Sequence, residues 1–216
     1  MADMPMTKGE ATRQRILDAA QAAVLAKGFA ATSIDEVIAE CGLTKGGFFY
    51  HFKDKSDLAK ALLHRYINED EALYDRIFGE ARALVDDPLH QFLAGLKMLA
   101  DVLGDMPGGH PGCIVAHVCH YARMFDREVD AINTMAALQW RARFRGMLDA
   151  IGTRYQPREA VDLDELADMV SSLLEGGIVM GRALGDPLVL KRQLMAFRAL
   201  ILALFVPLPE DALRAP

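Results

Sequence analysis

Apolar residues recur every three or four positions along most of the chain, a spacing typical of helices that bury one face. No alternating run of β-branched and polar residues is long enough to indicate a strand. The sequence therefore predicts an all-α fold of about nine helices, over residues 10–27, 34–41, 44–52, 56–84, 88–103, 111–124, 127–151, 163–184 and 187–205.

Glycine and proline separate these helices and suggest the domain boundaries. Gly28 and Gly42 each follow an N-terminal helix, and the Gly- and Pro-rich segment 104–112 is the strongest break in the rest of the chain. We expect three parts: a flexible arm over residues 1–8, a small domain over 9–56 and a larger helical domain over 57–216.

The stretch from Thr44 to Leu58 carries the clearest chemistry. Ser33 and Thr44 are placed to cap two short successive helices, and Glu36 completes a capping box for the first, so a helix-turn-helix is predicted. Aromatic residues, a histidine and lysines follow. Lysine binds phosphates, and tyrosine and histidine can reach phosphates or bases. These residues alone also allow a corner with its aromatics in the core and its lysines in water.

Residues 10–58 resemble the DNA-binding domain of the TetR family of transcriptional regulators. In many members the position of Phe49 is a tyrosine, which here comes one residue later as Tyr50. The resemblance implies a three-helix DNA-binding domain, a larger helical domain for effector binding and dimerisation, and double-stranded operator DNA as a partner. It rests on Arg13, Ile16 to Ala20, Gly28-Phe29, Thr32-Ser33-Ile34, Ile38-Ala39 and the block from Thr44 to Leu58.

Among the expected DNA contacts, we place Lys55 on a phosphate and Lys45 nearest the bases. Gly46 and Gly47 each cost roughly 1 kcal/mol of helix propensity, which suggests that something approaches this backbone closely. Arg13 fits the family's phosphate contact, with a solvated arginine as the equal alternative. The expected interface comprises Arg13, Ser33, Lys45, Gly46, Gly47, Phe49, Tyr50, His51 and Lys55.

The net charge of −6 would argue against nucleic-acid binding if the acidic residues were spread evenly, but they are not. Residues 1–60 hold 8 basic and 8 acidic side chains, which leaves 16 basic and 22 acidic ones in the remainder. No signal peptide or membrane-length apolar run is found, and three cysteines without framework spacing fit a reducing compartment. We expect a cytoplasmic protein without a membrane partner.

No catalytic motif occurs in the sequence. A Gly-x-Ser-x-Gly elbow, a Walker loop and a His-Glu-x-x-His pair are all missing. We therefore predict a protein that is not an enzyme and needs no cofactor, with a helical-bundle enzyme kept as the alternative class.

The predicted helices 163–184 and 187–205 carry more apolar surface than a monomer needs, unless the first of them is wholly buried. Two glycines four residues apart allow another backbone to come close. The TetR resemblance implies that both helices pair with their mates in a homodimeric four-helix bundle. The expected interface residues are Leu173, Gly177, Gly181, Leu194, Phe197 and Ile201.

A second cluster lies in the predicted helix 111–124. At ~100° per residue, Cys113, His117, His120 and Met124 fall on one stripe. This stripe fits a core face, the wall of a ligand pocket, or a metal site such as zinc. The opening of this helix also resembles the TetR branch that includes electrophile-responsive repressors, in which a cysteine at this place is the sensor.

We expect an effector pocket between the helix 56–84 and the segment 104–124, closed by the helices 127–151 and 163–184. Imidazoles, a phenol and aromatic walls favour a small acid or an electrophilic carbonyl compound, with a larger apolar drug-like compound as the second choice and a metal as the third. The sequence thus predicts a ligand-responsive repressor that leaves a palindromic operator, with cysteine modification or metal binding as the alternative trigger. The expected walls are Phe92, Cys113, His117, His120, Tyr121, Trp140 and Phe144.

Overall fold

The computed structural model describes residues 6–209, apart from the side chain of Ala122. Within that range it confirms the all-α prediction, with nine α-helices and almost no sheet. The helices are α1 (Lys8–Ala31), α2 (Ile34–Glu40), α3 (Lys45–Phe49), α4 (Lys55–Leu84), α5 (Pro88–Gly104), α6 (Ile114–His120), α7 (Arg127–Gly152), α8 (Leu163–Leu184) and α9 (Val189–Leu204).

Short elements that the periodicity could not indicate complete the fold. A 3₁₀ turn over Ala122–Met124 follows α6. Strands β1 (Tyr155–Pro157) and β2 (Phe205–Pro207) pair antiparallel, with Gln156 opposite Val206. Each strand has three residues, which is too few to show an alternating pattern.

The predicted arm over residues 1–8 is only partly described, because residues 1–5 lie outside the described range. Lys8 already belongs to α1, and Thr7 caps this helix in a capping box with Glu10. Gly28 interrupts the last turns of α1 with a φ of 83°, a conformation that only glycine adopts at little cost.

Two helix starts differ from the predicted ones. The helix predicted over residues 56–84 begins at Lys55, and Asp54 caps it because its Oδ1 accepts from the Asp57 amide at 2.8 Å. The Ser56 hydroxyl donates to Asp126 at 2.8 Å. Ser33 caps α2 as predicted, but the carboxylate of Glu36 binds Lys27 in an ion pair in place of the reciprocal capping bond.

The helix α6 is shorter than the predicted helix 111–124. It begins after Cys113, which is its N-cap, and it ends at His120 because Tyr121 leaves the helical conformation with φ −118° and ψ 24°. The predicted stripe therefore does not continue to Met124, which lies in the 3₁₀ turn with an exposed side chain.

The chain divides into two compact units. The first contains the described part of Met1–Asn68 together with Cys113–Ala136, and the second contains Glu69–Gly112 together with the described part of Ala137–Pro216. Both α4 and α7 contribute residues to each unit. The second half of α4 and all of α5 thus belong to the second unit, whereas α6 belongs to the first.

In the first unit, α1 packs against α2 and α6, and α2 packs against α3. The ring of Tyr121 lies 3.2 Å from the place where a Cβ on Gly28 would stand. The rings of Phe29 and Phe125 meet edge to face at 5.0 Å between centroids. The C-terminal end of α1 is therefore held by aromatic contacts from the segment that follows α6.

In the second unit, α9 packs against both α5 and α8. A Cβ on Gly177 would stand 2.7 Å from Leu190 Cδ1 and 3.0 Å from Leu190 Cα, and one on Gly181 would stand 3.1 Å from the carbonyl oxygen of Asp186. Because both glycines lack a Cβ, this chain's own α9 and the turn before it can pack closely against α8.

This packing corrects the predicted dimer interface. Leu194, Phe197 and Ile201 are fully buried inside the chain, and Gly177 is buried against Leu190 of α9, so none of these four is available to a partner. Leu173 and Gly181 of the predicted set are half exposed, and a Cβ on Gly181 would face the Asp186 carbonyl of the same chain. No helix within residues 6–209 is both long enough and apolar enough to cross a membrane.

Candidate nucleic-acid interface and effector cavity

The turn between α2 and α3 is shaped by local chemistry. The Ser33 hydroxyl accepts from the Glu36 amide at 3.2 Å, which fixes the start of α2. Gly42 then takes a φ of 61° and reverses the chain, and the Thr44 hydroxyl accepts from the Gly47 amide at 3.1 Å. Two short helices with defined starts and a glycine turn between them form a helix-turn-helix, as predicted.

The helix α3 and the residues after it have distinct inner and outer faces. Phe48 and Phe52 are buried, with exposed fractions of 0% and 2%. Phe49 and Tyr50 are 48% and 83% exposed. Large exposed aromatic residues beside buried ones favour a contact surface over a mere core corner.

The two glycines of α3 are not required by the protein's own packing. A Cβ on Gly46 would meet only the Thr44 hydroxyl at 4.0 Å, and one on Gly47 would meet it at 3.4 Å, both ordinary contacts. Neither glycine has a positive φ. These glycines cost helix stability without an internal reason, which fits a backbone that an external partner approaches closely.

Lys45 begins α3 and is exposed. Its ammonium lies 2.9 Å from the Asp35 carboxylate in the first turn of α2, and both side chains are 71% exposed. An ion pair this exposed stabilises the fold by at most about 1 kcal/mol, so the ammonium can exchange its partner for a phosphate or a base at little cost.

Other predicted DNA residues lie around α3. The His51 ring is half-buried and meets the Tyr50 ring edge to face at 5.0 Å. The exposed guanidinium of Arg13 lies 5.1 Å from the centroid of the Phe52 ring. Ser33 is exposed, and its side chain caps the start of α2.

The contact that Lys55 makes differs from the predicted one. Its ammonium donates to the backbone carbonyl of Phe29 at the end of α1, and burial lowers its pKa. A half-buried ammonium in this position ties the start of α4 to α1. The assignment of Lys55 to a DNA phosphate is therefore corrected to a structural role.

The predicted effector residues fall into both units. In the first unit, Cys113 and His117 are half-buried, with the Cys113 sulfur accepting from the Ala116 amide at 3.5 Å. His120 is exposed, and Tyr121 packs on Gly28. Among the described residues, no three His, Cys, Asp or Glu side chains converge on a possible metal site. Whether Cys113 is reactive stays a prediction.

The second unit contains a cavity of about 510 Å³ between its parts of α4, α5 and α7. Of the predicted walls, only Phe92 lines it; Trp140 and Phe144 are buried on α7 but are not among its lining residues. The Phe144 ring instead meets the Phe78 ring at 6.0 Å, and Phe78 does line the cavity. The pocket thus differs from the one expected around the segment 104–124.

Sequence reasoning missed the charged groups of this cavity. Arg143 donates to the carboxylates of Glu71 and, at 2.7 Å, Asp75. Burial opposes the charge on Arg143, but these two carboxylates raise its pKa. The sequence contains two arginines between Trp140 and Phe144, Arg141 and Arg143, and nothing in it indicates which of them lines a cavity.

Comparisons with known proteins agree with this geometry. Residues 16–62 match the model of the family described as bacterial regulatory proteins, tetR family. The chain is 48% identical over 54 residues to the HTH-type transcriptional regulator AcrR of Shigella flexneri, covering 24% of this chain and 25% of that protein. It is 31% identical over 103 residues to the HTH-type transcriptional repressor BepR of Brucella suis biovar 1, covering 45% and 48%.

The chain thus spans less than half the length of these two curated relatives. The whole fold has a wider match among solved structures. A TetR transcriptional regulator from Chloroflexus aurantiacus J-10-FL superposes with a TM-score of 0.76 at 23% identity, covering 94% of this chain and 100% of that one. This likeness establishes the fold of both units and leaves the effector site to be argued from the residues.

Proposed function

We propose that this chain, which belongs to the TetR family of bacterial DNA-binding transcriptional regulators, is a homodimeric repressor that a small molecule releases from its operator. The observation that carries the DNA-binding part is the outward face of α3, where Phe49 and Tyr50 are exposed beside Gly46 and Gly47. A helix of this kind enters the major groove with its N-terminal residues nearest the bases.

Each residue of this surface has a separate role in the proposed complex. Lys45 at the start of α3 reads base edges, Tyr50 and His51 contact the phosphates beside the groove, and Arg13 adds a further phosphate contact. The glycines let the sugar-phosphate backbone approach closely. Phe49 supplies apolar contact in place of the hydroxyl that many relatives carry at this position.

The proposed dimer uses a face of α8 that shares only Leu173 with the interface first expected. Apolar residues that remain at least partly exposed recur at intervals of three and four along this helix. This spacing is the seam of helix pairing in bundles, and a two-fold partner would cover it. The residues of this seam are Met169, Leu173, Gly176, Met180 and Leu184.

The effector is proposed to bind in the cavity of the second unit. Its lining includes Glu71 and Phe78 of α4 and Arg143 of α7, and both helices also contribute to the DNA-binding unit. A ligand lowers operator affinity only if it binds the released state more tightly than the bound state. The proposed protein is thus a cytoplasmic repressor that catalyses no reaction.

The test is direct binding of purified protein to the promoter fragments next to its own gene. We expect a shifted complex with two protomers per palindromic site, and mapping of bound DNA across the genome would identify the operator. A protein that remains a monomer and shifts no fragment at low salt would contradict the proposal.

A further inference from the structure

We propose that the 510 Å³ cavity binds a neutral, mostly aromatic molecule that carries one group able both to donate and to accept a hydrogen bond, such as a phenol or a primary amide. This inference rests on the proposed function, because it names the class of effector for the same cavity. It replaces the small acid or electrophile favoured by the sequence.

The apolar walls indicate the body of the ligand. Phe78 and Phe92 both line the cavity, and their rings are nearly parallel, with 22° between planes and 6.1 Å between centroids. Ala142, Met147 and Ala150 add further apolar surface. A volume of this size lies within the range of about 300–1,000 Å³ that is usual for small-molecule pockets. Flat aromatic ligands suit such walls.

The charged groups argue against an anionic ligand. Arg143 is bound to Glu71 and Asp75, so its positive charge is already compensated by two carboxylates. Arg82 also lines the cavity, but its side chain is exposed to solvent, where ionic contacts are screened. A carboxylate entering the cavity would therefore meet Glu71 without gaining a buried unpaired cation.

Two buried atoms indicate the polar group of the ligand. Nε of Arg143 and Oε1 of Glu71 are both buried and have no hydrogen-bond partner in the structure. They belong to two side chains that are already joined through Nη2 of Arg143 and Oε2 of Glu71. A hydroxyl could accept from Nε–H and donate to Oε1, and a primary amide could do the same with its oxygen and its NH₂ group.

The electrophile hypothesis loses support at this site. Neither cysteine nor histidine is among the described residues that line the cavity. The lining therefore contains no thiol for covalent addition and no imidazole for binding an acid.

The experiment compares probes that share one ring system. Calorimetric titration of the full chain with 2-naphthol, 2-naphthamide, naphthalene, 2-naphthoate and 2-naphthylmethylammonium should give Kd values at least tenfold lower for the first two. A tenfold ratio corresponds to about 1.4 kcal/mol. Equal or tighter binding of naphthalene, the acid or the amine would overturn the proposal, and so would the failure of all five to bind.

Variants locate the binding to this cavity. A Cβ on Gly146 would meet nothing within 4 Å, so the side chain of Gly146→Leu should occupy part of the cavity and lower affinity for 2-naphthol at least tenfold while the protein stays folded. Gly146→Ala is the control for helix propensity. Arg143→Lys removes the Nε donor and should abolish the advantage of 2-naphthol over naphthalene, whereas Arg145→Lys on the same helix should preserve it. Unchanged 2-naphthol binding in Gly146→Leu would place the ligand elsewhere.

Operator release is measured separately from ligand binding. If 2-naphthol binds with the predicted preference but leaves operator affinity unchanged, the ligand class stands and the proposed release mechanism fails. If the operator is released by naphthoate rather than naphthol, the regulator function stands and the ligand class is wrong.

Discussion

The Lys45 ammonium lies 2.9 Å from the Asp35 carboxylate, across the turn of the helix-turn-helix. Asp35 stands in the first turn of α2, where a negative charge also favours the helix N-terminus. The carboxylate holds the lysine side chain at the start of α3 before DNA arrives. It also places a negative charge where phosphates would approach, so it is expected to weaken binding to DNA of any sequence.

Lys45→Ala should therefore reduce discrimination between operator variants more than it reduces overall affinity. A lost base contact costs about 1–3 kcal/mol at one position and leaves the other positions unaffected. The measurement is the affinity for operators changed one base pair at a time. Lys97→Ala is the matched control, because Lys97 also pairs with an aspartate at 2.6 Å but lies in the second unit.

Asp35→Asn should raise the affinity for operator and unrelated DNA alike, since it removes a negative charge from the DNA-binding surface. Thermal stability should change little, because the exposed pair contributes at most about 1 kcal/mol. Lower affinity for all sequences in Asp35→Asn would show that the carboxylate acts by orienting Lys45 and not by repelling phosphates.

Lys55→Met should lower stability without changing the salt dependence of DNA binding. Its ammonium is bound to the Phe29 carbonyl, and a hydrogen bond of a charged group contributes about 1.5–3 kcal/mol. Denaturation gives the first quantity, and the slope of log affinity against log salt gives the second. Lys53→Met, at an exposed neighbouring position, is the stability control. A slope reduced by about 0.9 in Lys55→Met would instead show that Lys55 contacts a DNA phosphate, as first predicted.

Helix bounds were predictable wherever caps and glycines are local signals. The predicted helix 163–184 matches α8, because Asp162 caps its start and Gly185 ends it with a φ of 63°. The predicted helix 111–124 was too long, because the turn at Tyr121 depends on packing against Gly28, more than ninety residues earlier. Periodicity alone does not contain that contact.

The two candidate sites differ in how much the sequence reveals. The proposed DNA-binding surface lies within one local motif, so Lys45, Phe49 and Tyr50 could be placed on it from spacing and resemblance. The proposed effector cavity depends on the ion pair of Glu71 and Arg143, which stand 72 residues apart. A pattern of apolar residues cannot indicate which distant carboxylate neutralises a buried arginine.

Met180→Glu should convert the proposed dimer to a monomer without unfolding it. Met180 is exposed in the single chain, so a charge there costs the monomer little but would be buried in the helix seam. Light scattering at micromolar concentration measures the assembly. Leu138→Glu is the control, because Leu138 is similarly exposed on α7. A dimer that survives Met180→Glu would mean that another surface forms the interface.

Gly177→Ala should destabilise the chain itself and not merely its assembly. The added Cβ would lie 2.7 Å from Leu190 Cδ1 and 3.0 Å from the Leu190 Cα, so α8 and α9 would have to separate. Overpacking of this kind costs about 1–3 kcal/mol. Urea unfolding checks this value, with Gly176→Ala as the control, because a Cβ on Gly176 would meet nothing within 4 Å.

Asp70 in α4 should make the protein less stable as the pH rises from about 4 to about 7. Burial, with Glu69 and Glu71 nearby, raises its pKa from 3.8 to about 7. In this window the unfolded chain has released the proton that the folded chain still binds. The free energy of unfolding therefore falls with pH, by about 1.4 kcal/mol for each unit of pKa difference. Below the unfolded pKa the stability is fully present, and above about pH 7 the loss is complete.

Asp70→Asn removes the proton equilibrium and keeps the shape of the side chain. Its stability at pH 8 should exceed that of the parent chain, and the difference should shrink as the pH falls toward 4. Denaturant unfolding at a series of pH values measures this, with Asp75→Asn as a comparison at an exposed carboxylate that pairs with Arg143. A constant difference between parent and Asp70→Asn across the whole range would mean that Asp70 does not titrate in this window, and its carboxylate would then have a compensating partner in the folded protein.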